Sequence, residues 1–105
     1  MVQYDKMVVK KSDDPKKKYY AEFTDSESGR KKRSYFGQAG ATDYLISKEK
    51  DRRARYIQRH KKDLKTNDPT RAGYLSLYLL WSYGNEKSTS LRTNISNYKK
   101  QFNFK

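Results

Sequence analysis

A chain of 105 residues has the length of one small domain. Its 25 lysines and arginines outnumber 12 aspartates and glutamates, which gives a net charge of +13, and only 33% of its residues are hydrophobic. The absence of cysteine excludes a disulfide framework and a thiolate metal site, and no apolar run approaches the roughly 20 residues of a membrane span. Ten tyrosines and one tryptophan supply large rings for a core. The composition therefore predicts a small basic binding protein.

Residues 1–42 favour β-strands separated by two turns. A mixed segment at 2–11 is followed by a turn signal at 13–15 and then by an aromatic, β-favouring segment at 18–24. The second turn, at 25–29, ends in a glycine that can take a positive φ, and 31–36 is the returning strand. This order predicts a three-stranded antiparallel meander. Either Tyr20, or Tyr19 together with Phe23, is expected to face the helices.

The remaining residues, 43–105, mainly favour helices. Ser47 is the predicted N-cap of a first helix that runs from Lys48 to about Lys62. Helical spacing gives this helix one inward face, made of Arg53, Tyr56, Ile57, His60 and Leu64. Most of the charged residues of this predicted helix would then lie on its outer face.

Two further helices are predicted after a stop signal at 67–69. Asp68 is the expected cap of a helix over 72–83, which is apolar on most sides and ends at Gly84. Ser88 or Ser90 is expected to cap the last helix, whose core-facing stripe consists of Leu91, Ile95, Tyr98 and Phe102. The predicted fold is α+β, with a meander followed by three helices in a single domain over 1–105.

The predicted first helix carries the densest positive charge. Residues 48–65 contain nine basic and three acidic residues. Five of the basic residues recur every three or four positions and would form one stripe: Lys48, Arg52, Arg55, Arg59 and Lys62. Such a stripe can follow the phosphates of a nucleic acid or the carboxylates of an acidic protein. The alternative is a solvated face with the ordinary i, i+4 pairs Glu49–Arg53 and Asp51–Arg55.

Two more basic clusters flank the predicted hairpin. The first is the lysine run 16–18, and the second is the basic run 30–33 at the start of the returning strand, from which Lys31, Lys32 and Arg33 are the candidate binding residues. Either these clusters extend the binding surface, or they protect exposed strand edges from pairing with other chains.

The strand aromatics and the Gly37–Gly40 loop each allow a binding role and a structural one. Rings on the strands, at positions 19, 20, 23, 35 and 36, could stack unpaired bases, or they could build the core. The GxxG spacing of the loop matches the backbone clamp of KH domains, but a strand precedes it, so a tight sheet-to-helix turn is the stronger interpretation.

Catalysis and metal binding are not expected. His60 is the only histidine, has no cysteine partner and falls on the predicted core face, so we interpret it as a structural, hydrogen-bonded residue. The four glutamates are scattered along the chain and form no paired site. We therefore expect no enzyme, cofactor, metal or small-molecule substrate, and Trp81 is expected to lie in the core.

A series of residues carries a resemblance to a known family. It comprises Phe36-Gly37, Gly40, Asp43-Tyr44, Arg55-Tyr56-Ile57, Arg59-His60, Asn67-Asp68-Pro69-Thr70, Ala72-Gly73, Leu75-Ser76, Leu80-Trp81, Leu91, Asn94, Tyr98 and Phe102. In these positions the chain resembles small basic proteins of unassigned function encoded by large nucleocytoplasmic DNA viruses, including algal viruses. The resemblance spans roughly residues 8–104. It implies a viral protein, found in the virion or in the host cytoplasm or nucleus during infection, but it does not indicate which activity or site residues the protein has.

Together these observations lead to one expected function and one alternative. We expect a non-enzymatic viral structural protein, either a minor capsid protein or an internal component of the virion. It would contact capsid proteins or packaged DNA through the basic helix, without membrane insertion. The alternative is a free nucleic-acid-binding protein that acts in viral replication, packaging or expression.

Overall fold

A three-stranded antiparallel sheet forms the N-terminal part of the chain. The computed structural model describes residues 3–105. Strands β1 (Lys6–Lys11), β2 (Lys17–Thr24) and β3 (Lys31–Gln38) lie in the order β1-β2-β3 and are followed by helices. The predicted α+β class and the N-terminal meander are therefore confirmed.

Short polar side chains close both turns of the meander. In the first turn, the backbone N–H of Asp14 donates to Ser12 Oγ at 2.8 Å, and that of Lys16 donates to Asp14 Oδ1 at 2.9 Å. In the second, Ser28 Oγ donates to Asp25 Oδ2 at 2.9 Å, and Gly29 takes a φ of 78°. These contacts fix the register of the strands on either side.

The sheet turns Tyr19 and Phe23 toward the helices. Tyr19 lies opposite Phe36 across β2 and β3, and their rings stack at 5.8 Å. Phe23 and Phe36 are buried in the core cluster, whereas Tyr20 projects to the opposite face, where the Arg33 guanidinium lies 4.5 Å from its ring. Of the two predicted arrangements, the one with Tyr19 and Phe23 inward is correct.

The first helical region begins earlier than predicted and is broken in two. Asp43 caps a one-turn helix, α1 (Tyr44–Ser47), by accepting from the Ile46 N–H at 3.1 Å. Lys48 ends that helix with a φ of 57°, and helix α2 (Lys50–His60) then follows, continued by a 3₁₀ segment (Lys61–Thr66). The prediction of Ser47 as N-cap of a helix from 48 to 62 is therefore wrong. Asp43 caps the preceding turn, and the left-handed Lys48 separates the two helices.

The second predicted helix is shorter than expected. Helix α3 (Ala72–Leu75) continues as a wide π-helical turn (Ser76–Leu80), in which the Trp81 N–H donates to the Ser76 carbonyl at 3.2 Å. The helix thus ends at Leu80 rather than at Tyr83. Asp68 was wrongly predicted as its cap, because its carboxylate accepts from the backbone and hydroxyl of Thr70 within the preceding turn.

The last helix completes the core. Helix α4 (Leu91–Phe102) starts at Ser90, whose hydroxyl accepts from the Thr93 N–H at 3.2 Å, so the second predicted cap is the correct one. All four residues of the predicted stripe belong to the core or pack against it: Leu91, Ile95, Tyr98 and Phe102. The chain then returns to the sheet, where the Met7 N–H donates to the Lys105 carbonyl at 3.1 Å.

Candidate functional site

Three arginines of α2 line one side of a shallow groove, which we call the arginine groove. Its lining consists of Ala41, Thr42, Arg52, Arg55, Tyr56, Arg59 and Trp81. The other two members of the predicted stripe, Lys48 and Lys62, are exposed but lie outside α2 and do not line the groove. The structure therefore brings together three of the five predicted residues.

The charges in this groove are only partly compensated. Arg52 Nε lies 3.2 Å from Glu49 Oε2 in an exposed i, i+3 pair. Among residues 3–105, no carboxylate lies within 4 Å of the guanidinium of Arg55 or Arg59. The Asp51–Arg55 pair that the alternative of a solvated face would contain is thus not formed, and both guanidinium groups can contact an external anion.

Arg53 fixes how α2 is rotated. Its Nε donates to the Trp81 carbonyl at 2.9 Å and its Nη2 to the Ser82 carbonyl at 2.8 Å, while its guanidinium lies 5.5 Å from the Tyr44 ring centre. These inward bonds replace the predicted pair with Glu49. Because Arg53 is anchored on the inner side of the helix, its neighbours Arg52 and Arg55 are held toward solvent.

Beside the arginines lies a column of three rings, which we call the aromatic stack. The Tyr56 ring lies between that of Trp81, at 4.1 Å and 6°, and that of His60, at 4.2 Å and 26°. Trp81 is buried, as predicted, and burial raises the pKa of Tyr56 above its usual value. The His60 side chain is 41% exposed and forms the outer end of the stack.

A second concave surface, which we call the lysine pocket, adjoins the arginine groove. It has a volume of about 350 Å³ and shares four lining residues with the groove: Ala41, Thr42, Tyr56 and Trp81. Its other lining residues include Lys17, Lys18 and His60. Lys18 is neutralised there by the buried carboxylate of Asp43, at 2.6 Å. The two concave surfaces therefore meet at the aromatic stack, with cationic side chains on both sides of it.

The second hairpin cluster is largely compensated within the fold. Lys31 and Arg33 both pair with Glu22, at 3.5 and 3.1 Å, and the hydrogen bond from Arg33 lowers the pKa of that carboxyl. Lys32 Nζ donates to Thr70 Oγ1 at 2.8 Å. None of the three predicted basic residues lines the arginine groove. These contacts indicate that the three residues stabilise the sheet and its packing on the helices.

The strand aromatics and the glycine loop have structural roles in this fold. On the outer face of the sheet, the rings of Tyr20 and Tyr35 pack against each other at 5.4 Å, and Arg33 covers Tyr20. Gly37 has a φ of 78°, in the left-handed region that favours glycine, and a Cβ there would lie 2.9 Å from Leu80 Cδ1 in the π-helical turn after α3. This loop is the predicted sheet-to-helix turn.

His60 differs in part from its predicted role. It packs on Tyr56 as expected, but its Nδ1 lies 3.7 Å from Asp63 Oδ2, which is too long for a strong hydrogen bond. Within residues 3–105, no three His, Cys, Asp or Glu side chains are grouped so that they could hold a metal ion. Over the same part of the chain, no helix has the length and apolar character needed to cross a membrane.

Part of this site could not be found from the sequence. The i, i+4 spacing of Tyr56 and His60 indicates that they are neighbours, but no local signal places Trp81 against Tyr56. That contact depends on where α3 ends and on the bonds from Arg53 to the residues that follow it.

Comparison with protein families assigns the chain to a group. Residues 7–60 match a family described as a family of unknown function, DUF5754. The chain belongs to this family. The DUF5754 match covers the sheet except its first residue, Lys6, together with α1 and α2, and so includes the three arginines, Tyr56 and His60, whereas Trp81 lies beyond it. No curated protein and no solved structure matches the chain.

Proposed function

We propose that this DUF5754 protein is a non-enzymatic structural component of a viral particle that binds a polyanion through the arginine groove. The observation that carries the proposal is the exposure of Arg52, Arg55 and Arg59 along one groove, two of them without a carboxylate within 4 Å among residues 3–105. The viral setting rests on the resemblance described for the sequence. The expected absence of an activity belongs to the same proposal.

Packaged nucleic acid is one polyanion that fits the spacing of the arginines. From Arg52 to Arg59, α2 rises about 10 Å, at about 1.5 Å per residue. Successive phosphates of one duplex strand advance about 3.4 Å along the duplex axis, so a row of arginines laid along that axis faces about three of them. A guanidinium also binds phosphate through two parallel hydrogen bonds. A row of acidic side chains on a capsid protein would use the same geometry.

A free nucleic-acid-binding protein is the second candidate. It is favoured by the distribution of charge, because the net charge of +13 comes from basic residues throughout the chain rather than from a detachable tail. Such a protein would act in viral replication, packaging or expression and would use the same arginine groove. The two candidates differ in whether the protein is retained in the particle.

The salt dependence of DNA binding tests the groove. Neutralising about three phosphates of duplex DNA gives a slope near −2.7 in log affinity against log salt concentration. Replacing Arg55 or Arg59 with alanine should reduce the magnitude of that slope by roughly one unit, with little sequence dependence. The matched control is Arg92→Ala on α4, an exposed arginine outside the groove. If wild type, the two groove variants and the control all have the same slope, the arginine groove does not contact DNA.

Particle analysis separates the two candidates. Mass spectrometry of purified virions should detect the protein in many copies if it is structural, and Arg55→Ala should lower its incorporation. Absence of the protein from particles that are otherwise complete would support the free nucleic-acid-binding role. Unchanged incorporation of Arg55→Ala and Arg59→Ala would mean that the groove does not hold the protein in the particle.

A further inference from the structure

The aromatic stack ends in a ring with one face still available. Trp81 and His60 cover the two faces of Tyr56, so that ring offers none to a ligand. One face of the imidazole of His60 lies on Tyr56, yet 41% of the side chain is exposed. His60 also lines the lysine pocket, so part of its exposed surface opens into that pocket. Phosphate contacts in the arginine groove make no use of this surface.

Cationic side chains lie on both sides of this ring. His60 lines the lysine pocket together with Lys17, and within residues 3–105 no carboxylate lies within 4 Å of the Lys17 ammonium group. Arg55 and Arg59 line the arginine groove, which shares Tyr56 and Trp81 with the lysine pocket. A chain of phosphates that passes from the groove to the pocket therefore crosses an exposed aromatic face between two positive regions.

We propose that the outer face of His60 is a stacking platform for one unpaired nucleobase, with the flanking phosphates held by the arginine groove and by Lys17. Surfaces that bind single strands combine a basic groove with aromatic rings on which bases stack. In a duplex both faces of an internal base are already covered, so only an unpaired base can reach the platform. The inference rests on the proposed function, because it adds a base contact to the phosphate contacts of the groove.

The rigidity of the stack supports this role. Tyr56 lies nearly parallel to the buried Trp81, and the carbonyl of Trp81 is held by Arg53. The imidazole of His60 therefore packs on a ring that is itself held in place, and little side-chain conformational entropy is lost when a base stacks on it. The distance of 3.7 Å between His60 Nδ1 and Asp63 Oδ2 is too long for a strong hydrogen bond, so this contact does not assign the imidazole a structural role that would compete with base stacking.

Two probes with the same phosphates separate base stacking from charge. One is an oligothymidylate of about 12 nucleotides, and the other is an abasic chain of equal length. Wild-type protein should bind the oligothymidylate roughly 5- to 150-fold more tightly, the range that corresponds to loss of one base stack. His60→Ala should bind both probes alike, whereas His60→Phe keeps an aromatic ring and should retain the preference. Arg59→Ala should weaken both probes equally and leave their ratio unchanged.

The outcomes distinguish failure of this inference from failure of the proposed function. Equal wild-type affinity for the two probes, with the salt slope intact, would overturn the platform and leave the arginine groove as a phosphate site. Loss of the preference in His60→Phe as well as in His60→Ala would also overturn it, since a ring would then not suffice. Binding of neither probe would overturn both proposals. If His60→Ala does not fold, as judged by circular dichroism, the wild-type comparison of the two probes decides.

Discussion

Leu79 is the residue whose removal should damage the core most clearly. It is fully buried in the π-helical turn that follows α3, within the cluster that joins the sheet to the helices. Leu79→Ala should lower the free energy of unfolding by about 2–5 kcal/mol, through lost burial and the cavity left behind. That is a large share of the 5–15 kcal/mol or so that stabilises a typical domain. Urea denaturation measures it, with Ile46→Ala as the exposed control. A cost below about 0.5 kcal/mol would show that Leu79 does not pack as described.

Tyr98 should make the protein sensitive to high pH. Burial raises the pKa of its phenol above the usual value near 10, and its hydroxyl donates to the Pro69 carbonyl. Above about pH 10 the unfolded chain releases this proton while the folded chain keeps it, so stability falls as pH rises, by about 1.4 kcal/mol per pH unit.

The variant Tyr98→Phe isolates that contribution. It should lose about 1 kcal/mol at neutral pH with the hydrogen bond to Pro69. Above about pH 10, the free energy of unfolding of the variant should fall less steeply with pH than that of wild type. The difference between the two slopes should be about 1.4 kcal/mol per pH unit, the value for one proton. Chemical denaturation at a series of pH values measures both effects. If the free energies of unfolding of the two proteins fall in parallel as the pH rises, the pKa of Tyr98 is the same in the folded and the unfolded state.

At the scale of elements, Arg53 should be the main connection between α2 and the residues that follow the π-helical turn. Its two charged hydrogen bonds, to the Trp81 and Ser82 carbonyls, cross between these segments. Arg53→Ala should cost roughly 1.5–3 kcal/mol, the range for hydrogen bonds to charged groups. Arg53→Lys should recover little of it, because an ammonium cannot reproduce the two-pronged geometry. Arg55→Ala is the matched control on the same helix and should change stability by less than about 0.5 kcal/mol. Equal effects of the two alanine variants would contradict this role.

The elements that local patterns define were predictable from the sequence. The turn residues at 13–15 and 25–29 separate the strands, and the spacing of apolar residues marks α4, so both regions match the structure. The boundaries of α2 and α3 were not predictable, because contacts distant in sequence set them. Asp43 is engaged by Lys18 from β2 and caps α1 before Ser47 can act as a cap. Ser82 takes a positive φ where α3 has ended, beside the bonds from Arg53.

At the scale of the whole molecule, the sequence indicates a surplus of positive charge but not which charges remain available. Glu22 lies directly opposite Arg33 in the register of β2 and β3, and this pairing neutralises part of the hairpin cluster. Lys18 is likewise paired with Asp43. Such pairs follow from strand register and tertiary packing, which residue counts do not contain. By contrast, the common face of Arg52, Arg55 and Arg59 could be predicted from the sequence, because it depends only on the spacing of residues within one helix.

The net charge of +13 should make the folded protein more stable when salt is added. Repulsion among like charges disfavours the compact state, and the seven Lys or Arg ion pairs found within residues 3–105 are mostly exposed and therefore weak. Screening acts over about 10 Å at 0.1 M salt, so it relieves the repulsion across much of a small domain. The melting temperature should rise with sodium chloride, by roughly 4–8 °C for each kcal/mol of repulsion removed.

A double variant with less charge provides the control for this last effect. Lys61→Gln with Lys65→Gln removes two exposed lysines for which no carboxylate lies within 4 Å among residues 3–105, and it lowers the net charge from +13 to +11. The variant should melt at a higher temperature than wild type in low salt, and the two melting temperatures should converge as salt is added. Scanning calorimetry across salt concentrations measures both curves. A melting temperature that falls with salt would mean that ion pairs such as Lys18–Asp43 outweigh the repulsion. In that case the positive charge would be a source of stability, and an external polyanion would not be needed to relieve it.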